Sequence, residues 1–176
     1  MRPARYHKAL VGLHWLLAVL MVLALGMGST ALANTPNDAP AKLDLLRHHM
    51  MAGNLILILS VIRLIVRLKT RHPTHAYAGQ GAMSLLTTAA HYGLYLLTGL
   101  MCVSGIVLAA QTNLPSIVFD GVGALPASFS ELNAHTVHGL AGTLLIMLIA
   151  GHLLAALYHQ FIRRDRLMTR VWFGRS

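Results

Sequence analysis

The chain has 176 residues, of which 56% are hydrophobic and only 11% are charged. Ordinary soluble domains carry roughly 25% charged residues, so this composition excludes that class and indicates a single integral membrane domain. The formal net charge of +9 does not indicate a nucleic-acid partner, because the cations flank apolar segments instead of forming a patch on a soluble surface.

The first predicted element is a helix over residues 9–33, an apolar run that follows three basic residues. Its end, Thr30-Ala-Leu-Ala33, is also typical of a signal-peptidase site, so a cleaved signal sequence is the competing interpretation. The apolar stretch is longer than the ~7–15 residues of a usual signal-peptide core. It also contains His14 and Trp15, which a disposable segment does not need. We therefore predict a retained spanning helix.

Three further apolar segments follow the first. A proline-containing polar loop leads to a second helix, predicted over residues 49–68, and a short connection leads to a third over residues 83–110. A longer loop rich in proline and glycine precedes the fourth helix, predicted over residues 135–162 and followed by a basic tail. The pattern predicts one all-α domain over residues 1–176, an integral membrane, antiparallel four-helix bundle.

Lysine and arginine are distributed unevenly over the tails and connections. Three precede the first helix, four close the second helix and its connection to the third, and five follow the fourth. The connection between the first two helices has only Lys42 and Arg47, and that between the last two has none. With four spans, the rich regions fall on one side, and the positive-inside rule puts both termini in the cytoplasm.

Eleven histidines stand against five acidic residues, a balance that indicates a task for neutral imidazole, most commonly metal ligation. The single cysteine, Cys102, excludes an intrachain disulfide and a Cys-x-x-Cys-His attachment of c-type haem. His138 and His152 bound the apolar run of the fourth helix. At about 100° and 1.5 Å per residue, their spacing brings both to nearly one helix face, about 21 Å apart along the axis.

The predicted topology gives each of these two histidines a partner at its own depth. His14 and His152 lie toward the cytoplasm, and His49 and His138 lie at the outer surface. Ionisable side chains inside a membrane are costly, so they are candidates for function. Two axial imidazoles fill the coordination of a haem iron and leave no position for oxygen, which suits electron transfer. The four histidines therefore predict two haems across the bilayer, with the fourth helix serving both.

Two of these assignments compete with a neighbouring histidine. His135 lies roughly 100° around the fourth helix from the inner ligand, so His138 is the better candidate. Depth alone does not separate His48 from His49.

Three further histidines are candidates for secondary contacts. His7 and His159 are each seven residues from a proposed inner ligand and share its helix face, where they can replace that ligand or contact haem propionates. His91, in the third helix near the inner depth, is a candidate hydrogen-bond partner for a haem or a quinone, and equally a polar packing residue. We interpret all three as secondary to the four proposed ligands.

Short motifs along nearly the whole chain resemble the bacterial cytochrome b561 family, the short four-helix di-haem b proteins of the cytoplasmic membrane. The matching residues are, in chain order, Leu13-His14-Trp15, His49, Ile62-Arg63-Leu64, Val66-Arg67-Leu68, His91-Tyr92, Tyr95, Ser104-Gly105, His138, His152, Tyr158-His159 and Arg164-Asp165. The spacing from His49 to the two arginines fits the family pattern better than a spacing counted from His48. The resemblance implies two non-covalent b haems, ligated by the two histidine pairs named above.

The resemblance also implies electron exchange with membrane quinone. Some members of the family are superoxide oxidases, which take an electron from superoxide at the periplasmic face and reduce ubiquinone. The chain is therefore expected to be an oxidoreductase of the bacterial inner membrane that needs lipid, quinone and superoxide but no protein partner. One departure is Cys102-Val103, which stands where related chains often carry a proline before Ser-Gly, so the kink of the third helix is expected to differ.

Superoxide is an anion, so Lys42 and Arg47, the only Lys or Arg of the outer connections, are candidate steering residues. Two other functions stay open. The first is a haem-bearing subunit that couples a periplasmic dehydrogenase or hydrogenase to quinone. Co-purification of such a partner would identify this function. The second is a metal transporter with a histidine-lined path. A colourless purified protein would favour this function, because a haem protein is red.

Overall fold

The computed structural model describes residues 5–71, 73, 81–165 and 167–172, without the side chains of Met83 and Leu167. The described part has four long helices, Lys8–Gly26 (α1), Ala41–Lys69 (α2), Gly81–Gln111 (α3) and Asn133–Leu157 (α4). Each of the four helical segments is long and apolar enough to cross a membrane. The all-α prediction is confirmed, and the four helices are consistent with a membrane bundle.

Short π-helical segments lengthen two of the spans. Met27–Leu32 continues α1 and Tyr158–Arg163 continues α4, so these spans end close to the predicted limits. A third π-helical segment, Ser116–Asp120, lies in the connection after α3. The sequence indicated only a loop there.

The second helix begins at Ala41, whereas the sequence indicated a start near residue 49. Lys42, Asp44 and Arg47 suggested a polar loop, but they form the first turns of α2. Pro40 has a helical φ of −54°, which suits the entry to a helix. Asp44 lies in the first turn, where the positive end of the helix dipole favours a carboxylate. Polar residues therefore mark the outer end of α2, not a break before it.

The helices pack as two hairpins. α1 packs against α2, α3 packs most extensively against α4, and α2 also approaches α3. Within the described residues, α1 and α4 make no comparably close backbone approach. The bundle is therefore least tightly closed between the two helices that carry His14 and His152.

Hydrogen bonds at the two ends fix the antiparallel order. At one end, Trp15 Nε1 donates to the Val171 carbonyl at 2.8 Å, which joins the start of α1 to the segment after α4. At the other end, Arg47 Nη2 donates to the Val118 carbonyl at 2.8 Å, which joins the start of α2 to the π-helical segment after α3. We call the end with both termini the inner end, and the other the outer end. Which membrane face each end meets stays a prediction from the charge count.

Two small apolar clusters hold the bundle together. Leu17, Ala24 and Ile56 join α1 to α2 at mid-depth. At the outer end, Leu46 packs with Leu114 and Val118. Most other large apolar side chains are exposed, as expected for helices whose surfaces meet lipid.

Candidate functional site

The outer site is built from one histidine of α2 and one of α4. The rings of His49 and His138 meet edge to face, with centroids 6.1 Å apart and planes at 77°. An imidazole nitrogen binds a metal at about 2 Å, so two imidazoles on opposite sides of one iron have centroids roughly 6 Å apart. The observed centroid spacing is therefore close to that of two imidazoles bound to one metal centre.

The hydrogen bonds of His138 orient its ring for ligation. His138 Nδ1 lies 3.1 Å from the Met101 carbonyl oxygen and 3.1 Å from Ser104 Oγ. A carbonyl can only accept, so Nδ1 carries the proton and donates, and the lone pair of Nε2 stays available. Proteins usually orient a metal-binding histidine in this way, through a hydrogen bond donated by the ring nitrogen that does not bind the metal.

Glycines give both outer rings their space. A Cβ added at Gly28 would lie 3.1 Å from Cε1 of His49, and one added at Gly105 would lie 3.1 Å from Cε1 of His138. His49 Nδ1 is also buried without a hydrogen-bond partner among the described residues. A buried polar nitrogen without a partner is costly, so this ring fits a bound group that supplies one.

The structure distinguishes the two adjacent histidines of α2. His48 is exposed, and its Nδ1 lies 2.7 Å from the Asp44 carbonyl oxygen on the same helix. His49 faces the bundle and His138. The geometry therefore brings His49, not His48, into the outer site.

The inner site gathers three histidines where the sequence predicted a pair. His152 and His91 have ring centroids 5.6 Å apart, and His91 Nδ1 lies 2.8 Å from the Thr87 carbonyl oxygen. His14 lies within electrostatic range of both and of Arg63. The structure thus puts His91 in ring contact with His152, a contact that the sequence did not predict, and it places His14 near both.

Arg63 is the functional candidate that sequence reasoning missed. The sequence indicated no role for it beyond its place in the family resemblance, but the guanidinium is directed to Tyr95 on α3. Nη1 donates to the Tyr95 hydroxyl, and the guanidinium carbon lies 5.4 Å from the ring centroid. A signal was present in the sequence, because Arg63 follows His49 by the same fourteen residues that separate His138 from His152.

The two remaining secondary candidates make local contacts in the structure. His7 caps α1, with its Nδ1 accepting from the Ala9 amide at 3.2 Å. His159 Nδ1 lies 2.6 Å from a carboxylate oxygen of Asp165. Neither contact is with one of the four proposed ligands.

The candidate steering residues are engaged by the protein. The Lys42 ammonium donates to the carbonyls of Leu32 and Thr35, both at 2.7 Å, and the residue is only 6% exposed. Arg47 forms a 2.7 Å ion pair with Asp44 in addition to its bond to the Val118 carbonyl. Lys42 therefore fastens the end of the first span to α2, and the local field of Arg47 is offset by a neighbouring carboxylate.

Taken together, these residues fit haem in its two-imidazole form. The outer rings have the spacing and the free nitrogens, and the inner rings lie where α1 and α4 are least tightly closed. Within the described chain, no group of three or more His, Cys, Asp or Glu has the arrangement of a bare metal-ion site.

Comparisons with known proteins agree with this chemistry. A family model described as prokaryotic cytochrome b561 matches residues 5–174. Cytochrome b561 homolog 2 of Escherichia coli (strain K12) is 26% identical over 181 aligned residues, which cover 99% of this chain and 94% of that protein. The resemblance drawn from the short motifs is confirmed, and the chain belongs to the prokaryotic cytochrome b561 family.

Proposed function

We propose that this protein carries electrons through two non-covalent b haems to membrane ubiquinone. Membership of a cytochrome b family implies haem b electron transfer. The observation that carries the two-site proposal is the facing pair His49 and His138, whose spacing and hydrogen bonding suit the two axial ligands of one iron.

In this proposal, His49 and His138 hold the outer haem, and His14 and His152 hold the inner one. When bound, each haem would supply one-electron redox chemistry, and the two histidines that would hold it would leave no position for oxygen. The imidazoles fix the two sites about 21 Å apart along α4, and the apolar side chains between them exclude water. The cationic inner end faces the cytoplasm.

Superoxide is the proposed electron donor, on the family resemblance. Two superoxide anions each lose one electron and leave as two molecules of dioxygen. One ubiquinone takes up those two electrons and two protons from water and becomes ubiquinol. Rapid mixing of the oxidised protein with superoxide, with and without ubiquinone, tests this reaction through the haem absorbance. Haem reduction that ubiquinone reverses supports it, and an absence of reduction by superoxide contradicts it.

Substitution of single histidines tests the pairing. His152→Ala is expected to remove the inner haem and leave the outer one, whereas His49→Ala is expected to do the reverse, because each deletes one of two axial bonds. The exposed neighbour supplies the control, since His48→Ala is expected to retain both haems. Haem per chain and the reduced α-band measure the result.

The third inner histidine needs its own variant. His91→Ala is expected to keep both haems if His14 and His152 are the ligands. Loss of the inner haem from His91→Ala, with retention in His14→Ala, would instead make His91 the ligand. A folded, purified protein that stays colourless when haem is supplied in excess would contradict the cytochrome function itself.

A protein donor at the outer end is the second candidate. The outer segments carry four acids, Asp38, Asp44, Asp120 and Glu131, against the two cations Lys42 and Arg47. Two apolar residues of the same region, Phe119 and Val122, are 47% and 62% exposed. An acidic surface with exposed apolar residues suits a cationic protein partner better than it suits a free anion. Co-purification of a periplasmic redox protein that reduces the haems decides for this candidate.

A further inference from the structure

We propose that Arg63 and Tyr95 form the binding site for a propionate carboxylate of the inner haem. This inference rests on the proposed inner haem and assigns its acidic side chain to two residues that are not iron ligands. It begins from a buried cation. Arg63 Nε is buried and has no hydrogen-bond partner among the described residues.

The position of Arg63 directs it into the inner site. Helices α2 and α4 run in the same direction, and Arg63 follows His49 by fourteen residues, as His152 follows His138. That spacing places Arg63 about 21 Å inward from the outer site and on nearly the same face of α2 as His49. The structure agrees, since Arg63 lies within electrostatic range of His14, His91 and His152.

Among the described residues, no carboxylate side chain lies beside Arg63. Four of the five acidic residues lie in the outer segments, and the fifth, Asp165, pairs with His159. The groups that face Arg63 are Tyr6, Arg67, Tyr95 and the three inner histidines, all neutral or cationic. An unpaired charge inside a membrane is costly, so an anion from outside the chain is expected at this position.

The free hydrogen-bond donors suit a carboxylate. Arg63 donates one Nη1 hydrogen to the Tyr95 hydroxyl oxygen, which leaves the hydroxyl hydrogen itself available. Arg63 Nε–H and Tyr95 O–H are then two donors on neighbouring helices, and we infer that one carboxylate accepts from both. Charge-assisted bonds of this type are roughly twice as strong as neutral ones.

Depth favours haem over lipid as the source of the anion. Arg63 lies six residues before the end of α2 at Lys69, about 9 Å along the axis. A lipid phosphate belongs at the level of Lys69 and Arg71, nearer the membrane surface. A propionate of a haem held at the depth of His14 and His152 reaches Arg63 directly.

The test measures the reduction potential of each haem in Arg63→Gln. Removing the cation leaves the propionate charge uncompensated, which favours the oxidised form of the haem. We expect at least a tenfold fall in the reduction equilibrium constant of the inner haem, about 59 mV for one electron. The outer haem is expected to change little. Arg67→Gln, one turn further along the same helix, is the matched control.

A second measurement does not depend on a variant. Wild-type protein that contains haem with isotope-labelled carboxyl carbons is examined by redox-difference infrared spectroscopy. A propionate bonded to Arg63 and Tyr95 gives labelled carboxylate bands that shift on reduction of the inner haem. These bands are expected to move in Tyr95→Phe and in Arg63→Gln. In Arg63→Lys they are expected to lie close to their wild-type positions, because the cation is kept.

The outcomes separate this inference from the proposed function. Wild-type protein with fewer than two haems contradicts the proposed function, whatever Arg63 does. Two haems with an inner potential that Arg63→Gln leaves equal to that of Arg67→Gln overturns the inference alone. So does an inner potential that responds to the content of anionic lipid through Arg63, because the anion would then be a lipid phosphate. Loss of only the inner haem from Arg63→Gln, with recovery in Arg63→Lys, supports the inference.

Discussion

At the scale of single residues, the outer site depends on space as much as on ligands. His138 packs closely against α3, since a Cβ added at Gly105 would lie only 3.1 Å from His138 Cε1. Nδ1 of the same ring donates to the backbone carbonyl of Met101. The ring is therefore fixed on one edge by a hydrogen bond and on the other by the absence of a side chain. If His138 is the proposed ligand, a ring held in this way would keep its geometry when the iron changes its oxidation state.

Gly105→Ala tests this close approach. The added methyl group forces the His138 ring to move by a few tenths of an ångström, and overpacking of this kind costs about 1–3 kcal/mol. We expect roughly tenfold weaker retention of the outer haem, since 1.4 kcal/mol corresponds to a factor of ten. Haem loss to an acceptor protein measures this effect. Gly99→Ala, in the same helix with open space for a Cβ, is the control, and equal retention in both variants would contradict the close-packing account.

At the scale of elements, Lys42 ties the first span to α2. Its ammonium donates to the carbonyls of Leu32 and Thr35, which end the first span and its following turn, and carbonyl groups at helix ends favour a nearby cation. The residue is buried, so both bonds are protected from solvent. The cation that the sequence suggested for steering thus has a structural role at the end of a helix.

Lys42→Met is therefore expected to lower stability more than reactivity. It leaves two carbonyls without their charged donor, and hydrogen bonds to charged groups contribute about 1.5–3 kcal/mol each. We expect a loss of about 3 kcal/mol in the free energy of unfolding, seen as a lower thermal midpoint with both haems bound. Lys69→Met, at the exposed inner end of the same helix, is the control. A variant that keeps its stability but reacts more slowly with superoxide would restore the steering role.

The sequence predicted the elements well because apolar runs of membrane length are unambiguous, whereas three other features depended on tertiary contacts. The start of α2 was missed because Lys42 and Arg47 are polar, although each finds its partner only on another segment. Depth could not separate His48 from His49, since adjacent residues differ in helix face and only the packed bundle shows which face is inward. His91 and Arg63 were underrated because their partners, His152 and Tyr95, lie on other helices.

At the scale of the whole molecule, charge divides the bundle into two unlike ends. Of the eleven Lys and Arg that the structure describes, nine lie at the inner end, and four of the five acids lie at the outer end. The same asymmetry from which the positive-inside rule predicts the orientation therefore makes the outer end acidic. An anion that approaches the proposed outer haem would meet a weakly repulsive field, and a cation would meet an attractive one.

The salt dependence of the superoxide reaction tests both the surface and the topology. Salt screens exposed charges, with a Debye length of about 10 Å at 0.1 M and 30 Å at 0.01 M. Since the outer field repels superoxide, we expect the rate of superoxide-driven haem reduction to stay level or rise as salt increases between these concentrations. Exchanging Asp120 and Glu131 for lysine is expected to raise the rate at low salt and to make it fall as salt increases.

The opposite result would be equally informative. A wild-type rate that falls steeply with salt requires a cationic approach, and such a surface exists only at the inner end of this bundle. Superoxide would then react at the inner site, or the chain would lie in the membrane with its inner end outward. Protease accessibility of the C-terminus in sealed vesicles separates these two explanations. Reduction by an uncharged quinol, which feels neither field, is the control for effects of salt on the protein itself.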